Sequence, residues 1–559
     1  MAGRMKMTGN EGRKNGFIMQ AGILAVAGII SRIIGLLYRG PLHNVIGALG
    51  WGYYGSAYNY YTIILLISSY SIPSAISKVI AQKLAVKEYH NAHRIFRCAL
   101  GYVLAVGGAA SLFLYFGAGL FVEGAAVTVL RTFAPTIFIY GILGVLRGYF
   151  QAHKSMVQTS ISQILEQIAN AVVSVGAAYL LIHITMGSLE LPTEEAELIK
   201  RATSGAIGSA LGTGAGVLIA LLFMAGVYAL NRETIYKRVA NDHHTEEDSY
   251  GAILKMITMV VTPYILSTAV YNLSSAVNNS VYMKAFLKTR NLSEMELSSR
   301  WGIFVGQAQT ISNIPIAFAT AMGAAMIPTV AQAVAARDFS GAREKIAVSV
   351  KMIMLISIPC AMGLFVLARP VTGLLFHNTK AEEDLATKLL MALSLSVVFY
   401  ALSTLSNNIL QGLGKVNVPI INAGIALVVQ TVVGLLLVGF TELDLYAIAI
   451  VNTIYSGMMC VLNQIAVRKA LRYRQEIAKT FLVPAFAAVL MGAVAWASYE
   501  GLYMLTYSPK ISVVAAILLA ACIYCVLLLL FRVVTEEELR GFPKGYLLVR
   551  VARKCRLIR

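Results

Sequence analysis

Two arginines near the start of the chain have a spacing that could do chemistry. Arg32, Gly35 and Arg39 of SRIIGLLYR (31–39) stand at i, i+3 and i+7 and so share one face of a helix. The two guanidiniums are about 10 Å apart along that axis. Arg32 lies about 22 Å from the inner end of its apolar run, too deep to reach the headgroups easily. Two guanidiniums on one face suit a diphosphate, gripped by charge-assisted bidentate bonds. A packing reading stands beside it: Arg32 paired with a carboxylate or carbonyls, and Arg39 anchoring the outer interface. Lys78 follows the kink-prone Pro73 and lies about 7 Å from the inner end of the second apolar run, so snorkelling competes with a ligand role.

Glu166 sits near the middle of the fifth run, and Ser160, Gln163, Gln167, Asn170 and Ser174 recur around it at helical spacing. Lipid does not tolerate such a stripe, so it faces a cavity or another helix. Glu166 could counter Arg32, carry a proton, meet a substrate, or join helices. The seventh run repeats the pattern with Thr268, Tyr271, Asn272, Ser275, Asn278, Asn279 and Tyr282. The eighth offers Gln307, Gln309, Ser312 and Asn313, and the tenth Asn407, Asn408 and Gln411. A polar cavity between two halves accounts for these residues, and so does interhelical bonding.

The elements that must position these groups are membrane helices. The chain of 559 residues is 58% hydrophobic and 13% charged, about half the charge of a soluble domain. Its apolar runs predict an all-α integral membrane protein with about fourteen spans of about 20 residues each. They include runs near 17–38, 56–83, 155–184, 252–283, 301–334 and 386–412, with a last pair near 478–500 and 510–532. The net charge of +19 does not signal nucleic acid, because Lys and Arg sit in short loops. With the N-terminus placed inside, about two thirds of the basic residues fall on inner segments, Arg147 and Lys154 among them. Both termini are therefore expected in the cytoplasm, with the chain multi-pass in a membrane that the resemblance given below implies is the bacterial plasma membrane. The first run is too long for a signal peptide and contains Arg32.

An internal repeat divides the spans. AQKLAVKEYHNA (81–92) aligns with AQAVAARDFSGA (331–342) at an offset of 250 residues, matching Lys87 to Arg337 and Glu88 to Asp338. FQAHK (150–154) echoes LQGLGK (410–415) more weakly. An even number of intervening spans makes this a parallel repeat. The expected division is an N-lobe at 1–231, a C-lobe at 252–467, a C-terminal helix pair at 478–532 and a basic tail at 533–559.

Several functions find no signature. Walker A, G-x-S-x-G and H-E-x-x-H sequences do not occur, so an ATP-driven pump or a membrane protease is unsupported. A glycosyltransferase or polymerase needs acidic residues in a sizeable loop, and the longest loops here are about 20 residues. Cys522 and Cys525 read as buried small hydrophobes rather than a redox pair. His243 and His244 stand in an acidic, solvated loop that offers only a weak metal site. The aromatic run from Trp51 through Tyr53, Tyr54, Tyr58, Tyr60 and Tyr61 reads as an outer interfacial belt.

SRIIGLLYR, IPSAISKVIAQ (72–82) and LRGYFQAHKSM…SQILEQ (146–167), on two six-helix halves, resemble the MOP exporter superfamily. The resemblance runs over nearly the whole chain and points to the polysaccharide-biosynthesis branch of MurJ/SpoVB-like flippases. It implies a flippase for polyprenyl-diphosphate-linked glycans, lipid II among them, working by alternating access without nucleotide or other cofactor. Membrane potential or an ion gradient would drive it. It implies that Arg32 matches a functional first-span arginine. The family's second arginine follows at six residues, where this chain has Tyr38 and then Arg39. The last two helices are implied to form a groove for the lipid tail. Partners are a lipid-linked glycan and the bilayer, with the protein a monomer. A MATE-type drug exporter is the rival within the superfamily, although its cavity should be anionic and the intramembrane charges here are mostly basic.

Overall fold

A bilayer offers no water to backbone amides, so each apolar run closes its own hydrogen bonds as a helix. The computed structural model describes residues 27–533, apart from 29, 32, 36, 71, 154, 188–193, 243–246, 290–292, 336 and 473–474. Most side chains at 260–272 also fall outside the description. Arg32, His243, His244 and the tail beyond 533 therefore lie outside the described residues, as do the side chains of Thr268, Tyr271 and Asn272. No strand occurs among the described residues.

The chain forms two compact units, Met1–Gly302 and Ile303–Arg559. The first contains α1 (Arg39–Leu65), α2 (Ile72–Ala85), α3 (Tyr89–Phe121), α4 (Ala126–Ala152), α5 (Met156–Met186), α6 (Glu195–Ala240), α7 (Tyr250–Thr289) and α8 (Glu294–Ile303). The second contains α9 (Thr310–Ala335), α10 (Phe339–Val366), α11 (Ala368–Leu375), α12 (Lys380–Gly412), α13 (Asn417–Phe440), α14 (Leu445–Leu471), α15 (Val483–Thr506) and α16 (Pro509–Leu530). Ten of the described helices are long and apolar enough to cross a membrane. The run expected at 56–83 is interrupted by a π-helical stretch, Leu66–Tyr70, and the run at 301–334 by another, Phe304–Gln309. The helix α7, assigned from the sequence to the second half, packs against α1, α2 and α3 of the first unit.

Each unit repeats one packing pattern. In the first, α4 touches α2, α3 and α6, and α5 lies along α6. In the second, α12 touches α9, α10 and α14, and α13 lies along α14. The turns repeat atom for atom. Lys87 N donates to Leu84 O and Glu88 N to Lys83 O; Arg337 N donates to Val334 O and Asp338 N to Ala333 O. Lys87 and Arg337 share left-handed backbone, at φ 64° and 56°. The weaker echo also holds: Ser155 N donates to Phe150 O, as Lys415 N does to Leu410 O.

The tightest packing is between α5 and α6, where glycines remove the side chains that would keep the backbones apart. A Cβ on Gly208 would fall 2.4 Å from Ala178 N, on Gly212 2.1 Å from Ser174 Oγ, and on Gly216 2.5 Å from Glu166 O. Near its start α1 is broken at Gly47 (φ 69°, ψ 178°). Arg201 Nη2 donates to the nearby Val45 carbonyl at 3.1 Å.

Two expectations about side chains are corrected. Trp51, Tyr53, Tyr54 and Tyr61 are buried, not arrayed as a belt. They pack inside the unit, where the Tyr61 and Phe133 rings stack at 4.6 Å and the Tyr54 ring lies 5.5 Å from Phe133. Cys522 and Cys525 are exposed on α16, because the buried face of that helix is formed by Val513, Ala516, Ala520, Tyr524 and Leu528. That face and α15 close over Leu355 and Leu367.

Candidate functional site

The charged centre of the first unit is an ion pair that the sequence reading did not foresee. Arg147 is five residues from the end of α4 and only 4% exposed. Its Nη2 donates to Glu166 Oε2 at 2.8 Å and its Nε to Ser162 Oγ at 2.9 Å. Ser162 Oγ donates onward to Thr159 O at 2.7 Å. The short α4–α5 turn makes the helices antiparallel, which brings residues 19 apart in sequence side by side. Arg147, counted from the sequence as a loop charge, is thus interior, and Glu166 has a partner of its own. A polar residue at the end of an apolar run looks the same in sequence whether the helix stops before it or carries it inward.

Gly35 of SRIIGLLYR meets α5. A Cβ on Gly35 would lie 3.4 Å from Gln167 Oε1, next in sequence to Glu166. Arg39, half-buried, holds its guanidinium 5.9 Å from the centre of the Trp51 ring. The polar stripe on α5 divides. Asn170 and Ser174 are buried against α6, with Ser174 Oγ donating to Asn170 Oδ1 at 2.8 Å and lying 3.2 Å from Ser209 O. Gln163 is half-buried on the same helix.

The α7 stripe meets a second one on α1 that sequence reading passed over. Asn279 Nδ2 donates to Ser56 Oγ at 3.0 Å, Ser275 Oγ to Asn59 Oδ1 at 3.0 Å, and Ser280 bonds the Tyr60 hydroxyl. Ser56, Asn59 and Tyr60 fall at i, i+3 and i+4, the signal that could have found them. Below these bonds, a Cβ on Gly52 would lie 1.8 Å from Ser298 O and one on Gly302 1.9 Å from Ala48 O, so α1 and α8 touch through backbone. Asn272 belongs to α7. Lys78 is exposed on α2 and has no ion-pair partner among the described residues. Asn313 is exposed on α9, in the other unit. In the second unit Gln307 and Asn378 exchange amide hydrogen bonds of 2.8 and 2.9 Å. No cluster of three or more metal-ligating side chains occurs among the described residues.

Residues 18–191 match the family model of polysaccharide biosynthesis proteins, and residues 304–436 match that of MatE. The chain is 22% identical over 481 residues to the lipid II flippase MurJ of Bacillus subtilis (strain 168), covering 84% of this chain and 86% of that protein. It is 24% identical over 550 residues to stage V sporulation protein B of the same organism, covering 96% and 100%. The chain is thus similar to polysaccharide-biosynthesis proteins in its first part and to MatE proteins in its second. A solved structure, that of the lipid II flippase MurJ in an inward closed conformation, superposes with a TM-score of 0.61 at 14% identity, covering 91% of this chain and 98% of that one. The chain is a multi-pass membrane protein, and the relatives it resembles include transporters rather than enzymes. The polysaccharide-biosynthesis match covers Arg32, Arg39, Lys78, Gln163, Glu166 and Asn170, and the MatE match covers Asn313.

Proposed function

We propose that this protein moves a polyprenyl-diphosphate-linked glycan precursor, lipid II, from the inner to the outer leaflet by alternating access. The single observation that carries the reading is likeness over most of both chains to a protein named as a lipid II flippase. Chemistry supports it. A diphosphate headgroup crossing lipid unaided would lose water from its charges and sugars at prohibitive cost. Arg32, Arg39 and Lys78 offer the positive charge that replaces that water, with Gln163, Asn272 and Asn313 as further polar contacts. Asn279 joins α7 to α1 and Asn170 accepts from Ser174 within α5, so they contribute to the site by holding it in shape. The fuller reading has fourteen spans in two six-helix lobes plus a C-terminal pair, with both termini cytoplasmic. No cofactor is needed: an interior-negative potential favours outward movement of anions by about 2.3 kcal/mol per charge per 100 mV.

The test is complementation of a strain depleted of its lipid II flippase. The wild-type protein should restore growth, and Arg32→Ala should fail while accumulating normally. Full growth with Arg32→Ala removes Arg32 from the site. Failure of the well-expressed wild type redirects the reading to another lipid-linked glycan. A second reading, a cation-coupled exporter of the MATE type, is favoured by the MatE match at 304–436. Drug resistance conferred on a sensitive strain, without complementation, would select it.

A further inference from the structure

The first unit has a cleft that the flippase reading does not use. It opens at the end of the bundle where α2 turns into α3 and α4 into α5, and the last two turns of α6 cover one side. Its open space is about 740 Å³. His93 of α3, Tyr149 and His153 of α4, Gln158 of α5, and Thr234 and Arg238 of α6 line it, and no lining residue is acidic.

His93 is the unexplained group. It is 6% exposed, yet neither ring nitrogen has a hydrogen-bond partner. Buried polar atoms are almost always bonded, so two orphans on one imidazole call for a ligand. The ring is held in place by aromatic contacts, with Phe96 at 5.9 Å and Tyr236 at 5.4 Å between centroids. On the opposite wall, His153 Nδ1 lies 2.9 Å from Tyr149 O; the carbonyl can only accept, so Nδ1 bears the proton. Arg238 is exposed at the mouth and has no carboxylate partner among the described residues. Arg97 bonds the Tyr236 hydroxyl, and Arg232 lies 5.4 Å from that ring. The cleft is therefore a cationic, aromatic-walled pocket in which His93 has no hydrogen-bond partner and Arg238 no carboxylate partner among the described residues.

We propose that this cleft binds a phosphate group, with Arg238 and His93 as its donors. A phosphate dianion suits a guanidinium beside an imidazole, and it would draw a proton onto His93. In the empty cleft, burial, then the nearby Arg97 and His90, push the His93 imidazole down to about 4. The titratable and charged groups around it are Tyr89, His90 and Arg97 on α3, Tyr149 on α4 and His153 at its end, and Tyr236 and Arg238 on α6, with Asp242 accepting from His90 N at 2.7 Å and Glu247 3.1 Å from the His90 ring; α2 and α5 contribute none to the lining. Both carboxylates contact His90 and neither lines the cleft, so a bound dianion is the group that would stabilise the His93 imidazolium. Binding should accordingly strengthen as pH falls from 8 to 6 and take up a proton. The phosphate's source is either a soluble phosphate compound or a lipid headgroup, and the cleft is independent of the cargo reading.

The test uses the full-length protein in phosphatidylcholine nanodiscs, titrated calorimetrically with inorganic phosphate at pH 6 and pH 8 against chloride at equal ionic strength. Saturable binding that is tighter at pH 6, with proton uptake seen as a dependence on buffer ionisation, is expected. Arg238→Gln, a change at an exposed residue that leaves folding intact, should weaken it at least tenfold. His93→Phe keeps the aromatic contacts and should abolish the proton uptake. A second arm replaces part of the phosphatidylcholine with phosphatidic acid. An Arg238-dependent rise in Tm there, with no binding of free phosphate, assigns the phosphate to a lipid and upholds the site. Absence of any Arg238-dependent effect in both arms, or unchanged proton uptake in His93→Phe, overturns the proposal.

Discussion

Arg147 and Glu166 close the α4–α5 hairpin from inside, 2.8 Å apart, with Ser162 taking the second donor of the guanidinium. Removing one partner of a buried pair leaves a charge without compensation and costs about 3–5 kcal/mol, whereas removing both is often close to neutral. Arg147→Met should therefore lower Tm and the folded yield strongly. Arg147→Met with Glu166→Leu should recover most of the loss. Thermal unfolding in detergent by intrinsic fluorescence measures both, and equal loss in the single and double variants would refute a role confined to pairing.

The glycine stripe on α6 makes a local prediction. Gly208→Ala places a methyl 2.4 Å from the Ala178 backbone and should cost about 1–3 kcal/mol through overpacking. Gly226→Ala, on the same helix with nothing within 4 Å, should be neutral or stabilising by up to about 1 kcal/mol. Tm of the two variants, measured side by side, separates packing from helix propensity.

Lys87 and Arg337 should respond alike, because the repeat places both in left-handed backbone. That conformation costs a residue with a Cβ about 1–2 kcal/mol, and glycine escapes the penalty. Lys87→Gly and Arg337→Gly should each leave Tm unchanged or raise it slightly. Lys87→Val should lower it, since a β-branched side chain fits this region worst. Opposite signs for the two glycine variants would show that the turns are not equivalent.

The pH dependence of stability should bear the mark of His93, which lies before the apolar part of α3. Its imidazole is held at about 4 in the fold, against about 6.5 in an unfolded chain. The fold thus favours the neutral ring. That contribution is complete above about pH 6.5 and disappears as pH falls from 6.5 through 4. In phosphate-free buffer, the wild type should lose Tm between pH 7 and pH 5, and His93→Phe should lose distinctly less. Parallel pH profiles would contradict this.

Much of the architecture was legible because it rests on local properties. Apolar run length determines that the chain is helical and spans a membrane, since backbone amides in lipid must bond within their own segment. The 250-residue offset determines the repeated turns, because matching residues make matching local hydrogen bonds; Lys87 and Arg337 share even their φ. Tertiary structure alone decided which polar residues meet one another across helices. Sequence spacing places Glu166, Asn170 and Asn279 on helix faces, but lipid-facing and core-facing positions in a membrane helix are both apolar, so periodicity does not reveal what each face meets. The contacts came from packing: Arg147 turned inward to Glu166, Ser56 met Asn279, and the Trp51–Tyr61 aromatics folded in on Phe133. The cleft around His93 has the same origin, because its lining comes from five helices that only the packed bundle brings together.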